Sequence, residues 1–343
     1  MDETCACLVI TGVPLETEFG IDLQSFRAGD KICGIEMIPS GMHFVYCASQ
    51  GTNGEISSRV GFPHYFKSGE IVVREWSTST EELRSNGNAN SIRKNLKSFM
   101  KYMVPYNCND FSKWFKLSSS ITEKTIQQLS PDSGIIRDST DLLSYVDSND
   151  ASTGVESQVF VQNSLKQDFS HFKSIAGTIP KFTILPPRCP NDASPSEISK
   201  HYIDCIYAID LLLQNKEKEV YEEIQFSFLL YLCGHSIAGL SQWRRILSLL
   251  SNSEKAAEKY GNFYKNYLAI LQIHLPELPI EMIEQSKNNT VYSDVRRLML
   301  NCYKVGITSD SNALERSLKA TLLWKFDDLF VEDPEEMPVV VES

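Results

Sequence analysis

The sequence offers little for covalent chemistry. Its 343 residues contain no H-E-x-x-H, no G-x-S-x-G, no phosphate loop and no G-x-G-x-x-G, so the local signatures of zinc proteases, α/β-hydrolases, NTPases and dinucleotide binders are missing. A triad assembled in space from distant residues stays open, because catalytic groups need not be neighbours in sequence. No two cysteines are spaced C-x-x-C, and His201 and Cys205, four apart, supply only half of a zinc site; helix packing is the stronger reading of that pair. Positive charge is scarce: 33 Lys and Arg stand against 44 Asp and Glu, a net −11. Direct binding to a phosphate backbone needs a clustered basic footprint and is not expected; a partner with a basic face suits this balance better. No apolar run approaches the roughly 18 residues of a membrane helix, and "MDETCACLVI" at the start lacks a basic region, so neither a membrane span nor a secretory signal is expected. Nine cysteines, an odd number, then read as free thiols in a reducing compartment. Cys205 and Cys233 lie in apolar helical patterns and are expected in a core.

The remaining polar constellations have plain readings. Glu222-Glu223 and Asp327-Asp328 are adjacent carboxylates, which diverge by about 100° on a helix and cannot share a proton; a solvated face is expected. Arg244-Arg245 and Arg296-Arg297 read as solvated helix faces or, alternatively, as docking contacts to an acidic partner. Tyr260, Phe263, Tyr264 and Tyr267 could stack bases, but at helical spacing they are expected to be core.

Composition along the chain predicts an α+β, multidomain protein. Residues 1–135 read as a β-rich domain with a helical appendage. "CACLVIT", "KICGIEMI", "HFVYCAS" and "EIVVREW" are short β-branched and aromatic runs separated by Gly, Pro and Asn, which predicts an antiparallel sandwich or partial barrel. From Glu81 the pattern turns helical, with Ile92, Leu96 and Phe99 on one face. Residues 136–193 read as a linker, polar and then Pro-rich. At Ser194-Pro195-Ser196-Glu197 a capping box with Pro at the first helical position opens an all-α domain, 194–330. There Ile198, Tyr202, Cys205, Ile209 and Leu212 are expected on one helix face. "YEEIQFSFLLYLCG" should be a buried helix ending at Gly234, and further helices should follow as irregular hairpins. Residues 331–343, "VEDPEEMPVVVES", form an acidic tail. Pro334 and Pro338 exclude helix and the three valines favour extended backbone, so the tail is a strand in search of a sheet.

The stretch "GVPLETEFGIDLQSFRAGDKICGIEMIPSGMHFVYCAS", Gly12 to Ser49, joins Thr17, Glu18, Phe19, Gly20 and Asp22 to Pro39, Gly41, His43 and Phe44. Taken alone it is a β-meander with turns at Gly20 and Asp22. It also resembles the signature of the AAR-two family of spliceosomal assembly factors. The resemblance continues through Gly61-Phe62, Trp76-Ser77, Pro105-Tyr106, Trp114, "SPSEISKHYIDCIYAI", "EIQFSFLLYLCG" and "QWRRILSLLSNSE" to the closing "PVVVE"; Glu16 and Phe26 depart from the pattern. The resemblance implies a non-enzymatic, monomeric protein without cofactor or metal, cytoplasmic and nuclear, with a VHS-like helical domain. It implies binding to the RNase H-like and MPN-type domains of the large central protein of the U-five small nuclear ribonucleoprotein and a block on premature helicase docking. Pro338, Val339, Val340, Val341 and Glu342 would add a strand to that partner. A trafficking adaptor built on the helical domain and a cysteine hydrolase are the competing readings.

Overall fold

The computed structural model of the protein describes residues 5–29, 34–50, 56–137, 144–145, 172–173, 177–286, 288–326 and 329–330. By internal contacts the chain forms two compact units, Met1–Thr183 with Tyr221–Trp243, and Ile184–Val220 with Arg244–Ser343.

Among the described residues, ten strands make up the two large sheets of the first unit: β1 (Ala6–Thr11), β2 (Glu18–Ile21), β3 (Gln24–Arg27), β4 (Gly34–Ile38), β5 (Gly41–Gln50), β6 (Ile56–Phe66), β7 (Ile71–Ser77), β8 (Glu82–Ser85), β9 (Met103–Pro105) and β10 (Ile136–Arg137). They form two five-stranded sheets, ordered β8-β7-β1-β4-β9 and β10-β6-β5-β2-β3. The expected antiparallel pairing holds throughout the second sheet. The first is mixed, because β1 runs parallel to β7 and β4 parallel to β9. Such pairs need long crossovers rather than tight turns, and β2, β3, β5 and β6 of the second sheet lie within the β1-to-β7 crossover. Alternate residues of both sheets, including Leu8, Ile10, Phe19, Ile21, Val45 and Trp76, meet in one core, as period-2 strands require.

The outer face of the first sheet, at Val9 and Val73, is covered by α1 (Ala89–Lys94) and α2 (Leu96–Met100) through Leu96 and Ile92. Two further helices, α3 (Phe111–Ser118) and α4 (Glu123–Leu129), follow. The helical pattern expected from Glu81 therefore starts late: Glu82–Ser85 is still a strand, held by its ladder to β7. Strand β6 escaped the sequence pattern because Gly61 and Pro63 interrupt it. Pro63 is tolerated because Phe44, its partner on β5, turns its N–H and C=O toward Asp22 instead. Pro63 thus faces outward, past the point where β10 pairs with Val60 and Gly61, and no ladder donor is lost. Within the stretch read as a linker, Ile136 is buried in β10, the two-residue strands β11 (Ser144–Tyr145) and β12 (Phe172–Lys173) pair, and the Lys181 amide donates to the Leu129 carbonyl at 2.8 Å.

The helical elements are α5 (Pro195–Ile203), α6 (Ile206–Leu213), α7 (Glu217–Gly234), α8 (Ile237–Ser251), α9 (Glu254–Lys259), α10 (Gly261–His274), α11 (Thr290–Lys304) and α12 (Thr308–Thr321). The capping box at Ser194 and Glu197 is present. The single helix expected from Ile198 to Leu212 is broken, however. Asp204 is extended, its carboxylate accepts from the Ile206 and Lys255 amides and the Ser253 hydroxyl, and the Cys205 amide donates to the Asn252 carbonyl. Tertiary bonds outweigh the helical periodicity here, and Ile198 and Tyr202 are exposed rather than packed. The run from Tyr260 is also split, at Tyr260 between α9 and α10. The core reading of that stripe holds for Phe263, Tyr264 and Tyr267, all buried, with the Tyr264 hydroxyl on the Leu250 carbonyl at 2.9 Å. Among the described residues no helix is long and apolar enough to cross a membrane.

Candidate functional site

The residues that stand out in the sequence meet in the first unit. Ile21 pairs with Gln24 across a two-residue turn, and the first turn residue, Asp22, has φ 58°. That left-handed conformation is tolerable for Asp and is fixed here by bonds at both ends of the residue. The Asp22 amide donates to the Phe44 carbonyl at 2.8 Å, and the Phe44 amide donates to Asp22 Oδ1 at 2.9 Å. The Tyr106 hydroxyl donates to Asp22 Oδ2 at 2.8 Å. His43 Nδ1 stands 2.6 Å from the same oxygen, with both side chains closed to solvent. His43 Nε2 lies 2.9 Å from the Pro39 carbonyl oxygen, an acceptor only, so Nε2 carries a proton. A second proton lies between Nδ1 and Oδ2, since two lone pairs at that separation would repel. Burial first, then the Asp22 carboxylate, push the Tyr106 phenol far above its ordinary range, so it remains a donor.

Aromatic rings seal this cluster. Tyr106 and Phe66 meet His43 edge-on, and Phe111 and Trp114 stack on it. Trp114 Nε1 donates to the Met42 carbonyl at 2.8 Å. Gln24 and Asn107 exchange two bonds, at 3.1 and 3.0 Å. An Asp–His pair invites a catalytic reading, but both ring nitrogens are engaged and the ring does not reach water. Such a pair cannot take a proton from a substrate. Its chemistry is structural: it pins the β2–β3 turn to β5 and to the segment after β9.

The same motif holds the end of α7. The Cys233 thiol lies 3.5 Å from the Asp22 carbonyl. Arg59 reaches the Cys233 carbonyl at 3.2 Å and Glu18 at 3.3 Å, with its guanidinium 4.3 Å from the Tyr46 ring centre. Two glycines are demanded by contact. A Cβ on Gly20 would stand 2.3 Å from the Tyr46 ring, and one on Gly234 2.9 Å from both Phe44 and Ile136. Thr17 is buried and its carbonyl accepts from the Ala28 amide at 2.8 Å; Phe19 and Phe44 are core, and Gly41 opens β5 at φ 139°. Thus Glu18, Asp22, Pro39, His43 and Phe44 are brought together. Arg59 was missed, because a lone Arg in a polar run carries no pattern.

Glu222 and Glu223 are not on a solvated face, as their adjacency had led us to expect. Both are buried. Glu222 accepts from the Thr125 hydroxyl. Glu223 accepts from the Thr183 amide at 2.8 Å, the Thr183 hydroxyl at 2.5 Å and Gln242 Nε2 at 2.8 Å. Enough donors converge to hold buried carboxylates, a tertiary arrangement invisible in two consecutive letters. His201 and Cys205 lie on different elements; His201 packs on the Tyr207 ring, and Cys205 is the buried N-cap of α6. Cys233 is buried as expected. Burial pushes the Cys47, Cys205 and Cys233 thiols up, and that of Cys302 to about 12, the wrong direction for a nucleophile. Asp327, Asp328, Pro338, Val339, Val340, Val341 and Glu342 lie outside the described residues.

Residues 4–131 match the family model of the AAR2 N-terminal domain, and residues 182–327 that of the AAR2 C-terminal repeat region. The chain belongs to the AAR2 family. It is 30% identical to the human Protein AAR2 homolog, over 98% of this chain and 93% of that protein. The mouse homolog is 29% identical over the same shares. The Caenorhabditis elegans homolog is 26% identical over 86% of each. The first AAR2 match encloses the whole Asp22–His43–Tyr106 cluster. AAR2 membership supports a splicing-related role in assembly of the U-five small nuclear ribonucleoprotein.

Proposed function

We propose that this AAR2-family chain is a non-enzymatic assembly factor that holds the RNase H-like and MPN-type domains of the large central protein of the U-five particle. In doing so it blocks premature docking of the helicase. The observation that carries the reading is the family match along nearly the whole chain. The saturated Asp22–His43 pair and the raised thiols support a binding role over a catalytic one. The helical unit is read as VHS-like. The protein acts as a monomer in cytoplasm and nucleus, without nucleic acid, membrane or cofactor.

In this reading the end of the chain supplies an added strand. Residues Pro338 to Glu342 suit an open sheet edge: backbone groups give affinity, and alternate valines enter pockets. The acidic residues before them steer the encounter with a basic surface. Ordering such a segment costs about 2–5 kcal/mol of the gross interaction energy. Capture of the large splicing protein by the intact chain tests this, with deletion of Glu335–Ser343 and Val340→Pro as variants. Both variants should capture less, the proline by removing one backbone donor, with an unchanged melting temperature. Equal capture by the truncated chain would remove the tail as an anchor, and a matching fall in melting temperature would place the strand on this protein's own body.

A further inference from the structure

Residues 83–109 hold Arg84, Arg93, Lys94, Lys97 and Lys101 and no Asp or Glu, on a chain of net −11. Four of these cations fall between positions 93 and 101, where α1 ends and α2 follows. One side of both helices is spent on the first sheet: Ala89, Ile92, Leu96, Phe99 and Met100 pack with Val9 and Val73. The cations take the side that is left, and Arg93, Lys94, Lys97 and Lys101 are all exposed.

The backbone holds the four close together. The Asn95 amide donates to the Ile92 and Ser91 carbonyls at 3.0 and 3.1 Å, the Ser98 amide to the Asn95 carbonyl at 2.9 Å and the Tyr102 amide to the Phe99 carbonyl at 2.8 Å, so the chain keeps turning from one helix into the next. Lys101 caps α2 in helical conformation, φ −62°. It stands four residues from Lys97, a spacing that puts Cβ atoms about 5–6 Å apart and sets like charges against each other. Lys94 lies three residues before Lys97, at most about 11 Å of chain. Arg93 is anchored, with Nε on the Ile71 carbonyl at 3.1 Å and Nη1 on Asn90 Oδ1 at 3.2 Å. Lys101 Nζ is 4.7 Å from the Tyr102 ring centre, within reach of a cation–π contact.

Among the described residues none of these four cations forms an ion pair. The carboxylates around them are engaged or turned elsewhere. Glu82 pairs with Arg84 and Arg137, Glu75 faces Arg84 across the β7–β8 ladder, Glu70 holds His64 and the Lys67 amide, and Asp110 accepts from Asn107. Such a strip attracts anions, and its surroundings narrow the class. Single-strand binders need rings on which bases stack, whereas Phe99 and Tyr102 are half-buried and Lys101 covers Tyr102. A long polyanion would also run on past the strip over a surface that is acidic on balance. A short segment meets only the charges within about 10 Å, the screening length. No large apolar side chain of residues 83–109 is exposed, so nothing here selects an amphipathic helix or a lipid surface.

We propose that Lys94, Lys97 and Lys101, with Arg93, form a docking strip for a short segment of a partner protein rich in Asp and Glu, held by contacts between ammonium groups and carboxylates. Charge complementarity selects the segment, and the sheet beneath α1 and α2 keeps the cations in place. The strip is separate from the C-terminal tail and does not rest on the tail's role.

The test is fluorescence anisotropy of a short dye-labelled peptide of alternating Glu and Ser, titrated with the full chain. The controls are the same peptide with Gln for Glu and single-stranded RNA of equal charge. The Glu-Ser peptide should bind saturably and more weakly as salt rises. Lys97→Ala and Lys101→Ala should each weaken it about threefold, the worth of one exposed ion pair, and the triple variant with Lys94→Ala about thirtyfold. The melting temperature should not move, because these side chains are exposed, and Lys265→Ala, exposed in the helical unit, should bind like the unmodified chain. Absence of saturable binding, a triple variant that binds like the unmodified chain, Lys265→Ala weakening binding as much as Lys97→Ala does, or Gln peptide or RNA binding as tightly would each overturn the proposal. A chain ending at Phe330 should bind the peptide as the full chain does. Tenfold tighter binding by that chain would assign the strip to the protein's own acidic end and overturn the partner reading.

Discussion

Replacing Asp22 with Ala removes one carboxylate and leaves three buried donors facing nothing: the Phe44 amide, the Tyr106 hydroxyl and the His43 ring. Each orphaned donor costs about 1–3 kcal/mol, more where it is charged, and loss of one partner from a buried ion pair costs about 3–5 kcal/mol. The alanine must also keep φ near 58°, where Asp is tolerated better. We expect a loss of about 3–5 kcal/mol, a large part of the roughly 5–15 kcal/mol that holds a domain folded. Asp22→Asn keeps the shape, the turn conformation and an acceptor for Phe44 but loses the charge. It should cost about 1.5–3 kcal/mol, the worth of a hydrogen bond to a charged group. Because two compact units need not unfold together, a single midpoint is a poor measure. Native-state hydrogen exchange at the Phe44 amide, alongside urea unfolding, reports on this unit directly. If Asp22→Ala stayed within about 1 kcal/mol of the unmodified chain and Phe44 stayed protected, the buried network would not be holding the turn, and the accounting from unmet donors would be wrong.

Gly234→Val should destabilise the first unit by about 1–3 kcal/mol through overpacking, since its Cβ would press on both Phe44 and Ile136; thermal melting checks this, and a stable valine variant would show that the end of α7 can move away. His274 is fully buried and burial lowers its imidazole to about 3. Its unfolded form takes a proton below about 6.5 while the folded form does not, so stability is full above that pH. It falls as pH drops toward 3, by up to about 1.4 kcal/mol per pH unit. His274→Met should flatten urea midpoints between pH 6.5 and 4, and an unchanged slope would assign acid sensitivity elsewhere. Asp294, lifted to about 6 by burial, acts in the opposite sense: its penalty is absent at low pH and grows as pH rises through that value. For that reason the His274 comparison is made by variant rather than from the bare profile.

The β runs at Ala6–Thr11, Gly34–Ile38, Gly41–Gln50 and Ile71–Ser77 were legible because β-branched and aromatic residues alternate between clear turn signals. Their partnership was not, since the parallel β1–β7 pair joins residues more than 60 apart, and no local pattern encodes a crossover. The capping box at Ser194 was legible as a local rule, whereas the break at Asp204 depends on Ser253 and Asn252, some fifty residues away. The Thr17–Asp22 and Pro39–Phe44 motifs were recognisable as unusual, but their meaning was not readable: His43 and Asp22 could have been exposed and reactive. Only the positions of Pro39, Tyr106 and the surrounding rings show that they are spent on architecture. Glu222 and Glu223 reversed their expected environment for the same reason, their donors arriving from Thr125, Thr183 and Gln242.

The sealed position of His43 and Asp22 bears on how genetics of this chain is to be interpreted. A screen that scores growth would rank substitutions at these letters among the most harmful, and a map drawn from it would paint them as contacts with the splicing machinery. They are instead hidden from any visitor, so such alleles report how much intact protein survives in the cell. Interface mapping has to begin with alleles whose abundance is normal, which directs attention away from the signature and toward the exposed lysines of α1 and α2 and the closing valines.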